Sequence, residues 1–160
     1  MARQVEGAES DHPNIIALPP LIYLTALIAG VVAHFLDPRP LFHSRAVFWV
    51  GVAMVGVCVA LALWARRTME RAGTNINPYQ PALEIVTAGP FRFTRNPMYL
   101  AMIIGYVGVV LMVNGVWPAV MTVPLAWIIQ WGVIAREEKY LDARFGETYR
   151  SYRARVRRWF

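Results

Sequence analysis

Two charged groupings in this chain sit at the ends of apolar runs. Residues 89–101 read Gly-Pro-Phe-Arg-Phe-Thr-Arg-Asn-Pro-Met-Tyr-Leu-Ala, which puts Arg92, Arg95 and the Asn96-Pro97 step directly before an apolar segment. About forty residues later, where the next apolar segment ends, comes Arg136-Glu137-Glu138. Arginines beside a helix start suit a carboxylate or phosphate, because the first turn also offers unpaired N–H groups and a partial positive charge. A carboxylate pair suits a cation, either an arginine of the chain (Arg66, Arg95 or Arg136) or the amine or sulfonium of a ligand. Ionisable groups at the mouth of membrane helices are costly to keep there, and a functional site is the default reading. The bland alternative for the arginines is binding of lipid phosphates.

The elements that position these groups are apolar. With 57% hydrophobic residues in 160, the chain is too apolar for an ordinary soluble domain. Four stretches stand out, at 18–36, 46–65, 98–113 and 116–135. The first, second and fourth reach the roughly 20 residues that cross a hydrocarbon core of about 30 Å. The third is shorter. None keeps a polar stripe at helical spacing. The expected fold is therefore all-α and membrane-embedded. It has about four transmembrane helices, the last two forming a hairpin, and an amphipathic C-terminal segment. Ala53, Gly56, Ala60 and Ala62 are small residues suited to close helix contact in the second span.

Asn96 is a good N-cap and Pro97 is tolerated at the first helical position, so a helix is expected to start there. Acidic residues at a helix C-terminus oppose the macrodipole, and Glu137-Glu138 are expected at the end of the fourth span. Between the second and third spans lies Thr74-Asn75-Ile76-Asn77-Pro78-Tyr79-Gln80-Pro81, whose prolines and asparagines favour turns and extended chain. A loop that long often covers a site, and a plain surface linker is the alternative. The tail reads as two helical pieces broken at Gly146, with Tyr149, Tyr152 and Val156 on one face. That face would lie on the membrane or fold back over the site.

Charge is uneven. The stretch from Arg66 to Pro97 holds five arginines against two glutamates, and the tail from Arg136 holds eight Lys/Arg against four Asp/Glu. The positive-inside rule puts these segments, and with them both termini, in the cytoplasm. Basic residues hugging a membrane face imply lipid headgroups as partner, not nucleic acid. Glu6, Glu9 and Asp11 make the N-terminus unlike a secretory signal. Cys58, the sole cysteine, is expected to be a packing residue. His12, His34 and His43 lie in the front half and are expected to be structural; no metal site is expected. The chain divides at about residue 73 into a two-helix front part, 1–73, and a back part, 74–160, that carries the chemistry.

The order Gly-Pro-Phe-Arg-Phe-Thr-Arg-Asn-Pro-Met-Tyr, helical hairpin, Glu137-Glu138, then Phe145-Gly146-Glu-x-Tyr149-x-x-Tyr152-x-x-Arg155-Val156 resembles the isoprenylcysteine carboxyl methyltransferase family. That family shares its C-terminal half with the membrane phosphatidylethanolamine N-methyltransferases. The resemblance covers about residues 74 to 158. It implies an integral membrane methyltransferase using S-adenosylmethionine. It places cofactor binding on Arg95, Asn96, Pro97, Tyr99, Leu100, Ala101, Glu137 and Glu138, and catalytic roles on Arg155 and Glu138. Asn96 stands where the family pattern has His and Ala101 where it has Gly. Asn cannot transfer a proton at neutral pH, and Ala adds a methyl where backbone approaches the cofactor. The implied acceptor is a lipophilic carboxylate, thiol or lipid amine entering from the bilayer. Membrane sterol reductases, which bind NADPH, resemble the same C-terminal pattern and form the alternative enzyme class. A non-catalytic four-span scaffold is the third reading.

Overall fold

A computed structural model describes residues 13–159. Glu6, Glu9, Asp11 and His12 lie outside the described residues. Helix α1, Pro19–Leu36, opens on two prolines that need no N–H partner in the first turn, and it ends before Asp37-Pro38, where the proline disfavours helical geometry. Helix α2, Ala46–Arg71, runs 26 residues without a break. It passes the expected end at residue 65 by a turn and a half and carries Arg66 and Arg67 clear of its apolar part. After an irregular segment and a 3-10 turn at Gly89–Arg92, α3 spans Pro97–Val113. Helix α4 (Val116–Ile128) passes through a π-helical stretch (Ile129–Ile134) into α5 (Ala135–Phe145), and α6 (Glu147–Arg155) follows. Among the described residues no strand forms, as an all-α fold requires.

Three helical runs are long and apolar enough to cross a membrane: Pro19–Leu36, Ala46–Arg71 and Val116–Phe145. Pro97–Val113 is apolar but shorter, at 17 residues. Phe35, Trp49, Val123, Trp127 and Trp131 point outward, as helices solvated by lipid allow.

Packing pairs α3 with α2 and α4 with α1. The α2–α3 contact is a backbone approach. A Cβ on Gly51 would lie 2.5 Å from the Gly108 carbonyl oxygen, and one on Gly105 would lie 2.6 Å from Cys58 Sγ. Small residues make this contact, but on α2 they are Gly51 and Cys58. Ala53, Gly56 and Ala60 are exposed, a correction to the sequence expectation. Their spacing is helical but falls on the outward face. In the α1–α4 contact, Gly30 lies against Pro118, where a Cβ would meet Pro118 Cα at 2.6 Å.

The two short connections at one end of the bundle lock together. Asn114 adopts left-handed geometry (φ 54°) and ends α3. Its side chain accepts from Phe42 N (2.9 Å) and donates to Phe42 O (2.7 Å), while Leu41 N donates to Asn114 O (3.1 Å). Between the helices the core is aromatic. Tyr23 and Tyr106 meet edge to face with ring centres 6.3 Å apart, and Tyr106 donates to the Pro118 carbonyl (2.9 Å).

Candidate functional site

The helix that carries Glu137 and Glu138 does not end at them. The π-helical stretch continues it to Phe145, so the expectation of an acidic pair at a helix C-terminus is corrected. A π turn widens the helix and frees carbonyls, and Gly132 O accepts from Ile16 N at 3.3 Å. The pair is thus carried inward on continuous helix. Glu138 is buried, and it faces the segment that precedes α3.

That segment is shaped by Gly89-Pro90. Gly89 has φ 56°, and a Cβ there would come within 2.6 Å of Thr68 Oγ1, so glycine is required. The turn presents the Phe91 carbonyl, to which Tyr152 donates (2.8 Å). Asn96 does occupy the N-cap position with Pro97 next, but its side chain makes no capping bond. It donates instead to the Arg158 carbonyl (3.2 Å), and Thr94 Oγ1 donates to the same oxygen (2.8 Å). The N-cap role expected of Asn96 is corrected accordingly: the tail competes for its amide.

Six side chains then converge. Arg95 Nη2 lies 3.2 Å from Glu138 Oε1, with only 10% of the Arg95 side chain exposed. Its Nη1 donates to the Tyr149 hydroxyl at 3.4 Å. Tyr99 donates to Glu137 Oε1 at 2.6 Å. Arg158 forks onto both oxygens of Glu138, with Nε to Oε1 at 3.1 Å. Burial raises the Tyr149 phenol first, Glu138 adds to this, and Arg95 partly opposes it. Burial raises the Tyr152 phenol as well. Hydrogen bonding to Glu138 raises the Arg158 guanidinium, which therefore stays a cation.

All of these groups except Arg158 line a cavity of about 530 Å³. Arg95, Asn96, Pro97, Tyr99, Glu137 and Glu138 form one wall, and Tyr149 and Tyr152 close it from α6. The proline-rich connection lies along it through Thr74–Asn77 and Ala82, pinned by Ala82 N donating to Tyr140 Oη (3.2 Å). Met69, Met98, Met102, Leu18 and Pro19 supply an apolar side.

Not every candidate residue reaches the cavity. Leu100 and Ala101 do not line it, and Ala101 is packed with no exposure. Arg155 is exposed on α6, its Nε bonded to Ser151 O (3.2 Å). Arg92 is also exposed. Arg66 lines the cavity but pairs with Glu70 (2.8 Å), and Arg136 donates to Asn14 O (2.7 Å). The residue that sequence reasoning missed is Arg158. It sits in the run Arg157-Arg158-Trp159, which by composition alone is one more basic surface patch.

A profile of the phospholipid methyltransferase family matches residues 46–148. The chain belongs to the phospholipid methyltransferase family. It is the family related to the isoprenylcysteine carboxyl methyltransferases. The match begins at the start of α2, earlier than residue 74, in keeping with the close α2–α3 packing. An uncharacterized protein of Haemophilus influenzae strain Rd is 62% identical over 26 residues, which are 16% of this chain and 41% of that protein. No solved structure matches the chain.

Proposed function

We propose that the protein is an integral membrane methyltransferase that uses S-adenosylmethionine to methylate a lipophilic acceptor reaching the site from the bilayer. The observation that carries this reading is the buried cluster of Arg95, Tyr99 and Glu137 on one wall of a cavity whose opposite side is apolar. Arg95 Nε is a buried N–H without an acceptor among the described residues, and buried donors ordinarily have one. It fits a ligand carboxylate. Glu137 gives one oxygen to Tyr99 and keeps Oε2 unengaged among the described residues, which fits a ligand ammonium. A guanidinium and a carboxylate lining one cavity are what an amino-acid head needs.

When bound, S-adenosylmethionine supplies a methyl group on a sulfonium, open to in-line displacement. The chain's own residues bind and align. Arg95 and Glu137 hold the head, Tyr99 fixes the Glu137 carboxylate, and Tyr149 and Tyr152 exclude water from α6. Alignment and a dry, preorganised field are the main contributions such a displacement needs. Asn96 cannot move a proton, so an amine acceptor must arrive neutral, whereas a carboxylate acceptor needs no base. Methionines and prolines at the α1 and α2 side would receive the acceptor's apolar part. Arg155 is left out, because its guanidinium faces away from the cavity. The basic connection and tail put this end of the bundle in the cytoplasm.

The test is calorimetric titration of the detergent-purified protein with S-adenosylhomocysteine, run beside NADPH. Saturable binding of the former alone is expected, with loss in Glu137→Gln. Binding of NADPH alone would move the protein to the reductase reading, and binding of neither would leave the cofactor assignment without support.

A further inference from the structure

The chain leaves α6 at Val156 in extended geometry (φ −119°, ψ 126°) and returns along the start of α3. Three backbone-directed bonds hold it there. Arg95 N donates to Arg157 O (3.0 Å), and Thr94 Oγ1 and Asn96 Nδ2 both donate to Arg158 O (2.8 and 3.2 Å). Trp159 packs against the apolar core beyond.

The Arg158 side chain then completes a three-member ion cluster. Glu138 is shared: Oε1 faces both Arg95 Nη2 (3.2 Å) and Arg158 Nε (3.1 Å), while Oε2 takes Arg158 Nη2. Arg95 has the weaker claim, through one nitrogen, and Arg158 the two-pronged one. A guanidinium prefers the two-pronged geometry. Without Arg158, Glu138 would be free to take Arg95 in that way and turn its guanidinium from the cavity wall.

We propose that Arg158 is a positioning residue: by occupying Glu138 it keeps Arg95 presented to the cavity, and with Thr94 and Asn96 it docks residues 156–159 as a strap across the start of α3. Glu138 then anchors the strap, and Glu137 is the carboxylate left for a ligand. The consequence for ligand affinity rests on the cofactor reading above; the docking does not.

Two readouts separate these parts. Hydrogen exchange at the Arg95 amide, which donates to Arg157 O, reports whether residues 156–159 are docked, and calorimetry with S-adenosylhomocysteine reports how Arg95 is presented. Arg158→Gln should speed exchange at the Arg95 amide, and weaken binding about tenfold, the scale of losing one partner of a partly exposed ion cluster. Arg158→Lys keeps the charge but not the fork, and should recover only part of both. Glu138→Gln should loosen the strap as Arg158→Gln does. Arg155→Gln, on the exposed face, should change neither. Exchange at Arg95 that is unchanged in both Arg158→Gln and Glu138→Gln overturns the docking. Loosened exchange with undiminished binding overturns the positioning of Arg95. Weakened binding with a fully protected Arg95 amide would make Arg158 a direct ligand contact and also overturn it. If the native protein binds no S-adenosylhomocysteine, the fault lies with the cofactor reading, and exchange alone decides the docking.

Discussion

The two ends of the bundle are fastened by different chemistry. At one end Asn114 and Phe42 stitch two short connections with neutral amide bonds, all of them exposed. At the other, Arg95, Glu138 and Arg158 fasten the tail with ionised groups, and Glu138 and Arg95 are nearly buried. Neutral stitching costs little to desolvate and needs no charge balance. A buried ion cluster contributes little net stability, since desolvation offsets attraction, so its presence calls for another reason. The contrast teaches that the bundle is closed by one end and used at the other.

That division predicts where substitutions act. The largest effect is expected from Glu137→Gln, which keeps the shape of the side chain but removes the charge proposed to meet a ligand ammonium. S-adenosylhomocysteine affinity should fall about 100-fold, equivalent to about 2.7 kcal/mol, measured by calorimetry. Thermal stability should change far less, because Tyr99 can still donate to the amide oxygen. An unchanged affinity would remove Glu137 from the site. Next in size is Gly108→Leu between the two ends. The Gly51 carbonyl oxygen already lies 2.8 Å from where a Cβ would sit, with Met54 and Val55 behind it. Overpacking of this kind costs about 1–3 kcal/mol and should lower the unfolding temperature in detergent. Gly56→Leu on the outward face should cost almost nothing, since no atom lies within 4 Å of its Cβ position.

Much of this arrangement was legible from the residues. Hydrophobicity gave the helices, Asn96-Pro97 gave the start of the third, and Gly146 gave the break in the tail. The facing of residues 92–97 and 137–138 across the apolar segments was legible as charge that needs a partner. Three things were not. The unbroken run of the fourth span past residue 135 to Phe145 was hidden because the apolar pattern stops where the helix does not, and it moved the acidic pair off a helix end. Which small residues of α2 make the contact depends on the rotation of the helix, which Gly51 and Gly56 do not differ enough to reveal. Arg158 was hidden among other arginines, because choosing the partner of a carboxylate takes a chain reversal at Val156 that local preference does not encode.

At the stitched end, Asn114→Gly tests the neutral bonds by themselves. Glycine keeps the left-handed conformation without strain, so only the two side-chain bonds to Phe42 are lost. About 1 kcal/mol of stability should go, with S-adenosylhomocysteine affinity unchanged. A fall in affinity would show that the two ends are coupled and would break the comparison.

The smallest effect lies in the pH response of the tail. Tyr149 and Tyr152 have phenols raised by burial, so they hold their protons in the docked tail at pH values where a free tyrosine loses its own. The undocked chain therefore binds fewer protons above about pH 10, and stability of the docked state must fall as pH rises from there. Below that pH both states are protonated and these tyrosines contribute no slope. Exchange of residues 147–158, followed from pH 9 to 11 after correction for the intrinsic rate, should rise faster than exchange in the stretch 39–42 at the far end, where Tyr is absent. In Tyr152→Phe the phenol can no longer ionise, and its bond to the Phe91 carbonyl is lost at every pH. The variant tail should thus begin looser and respond less steeply to alkali, which distinguishes titration of these phenols from a general alkaline loosening of the bundle.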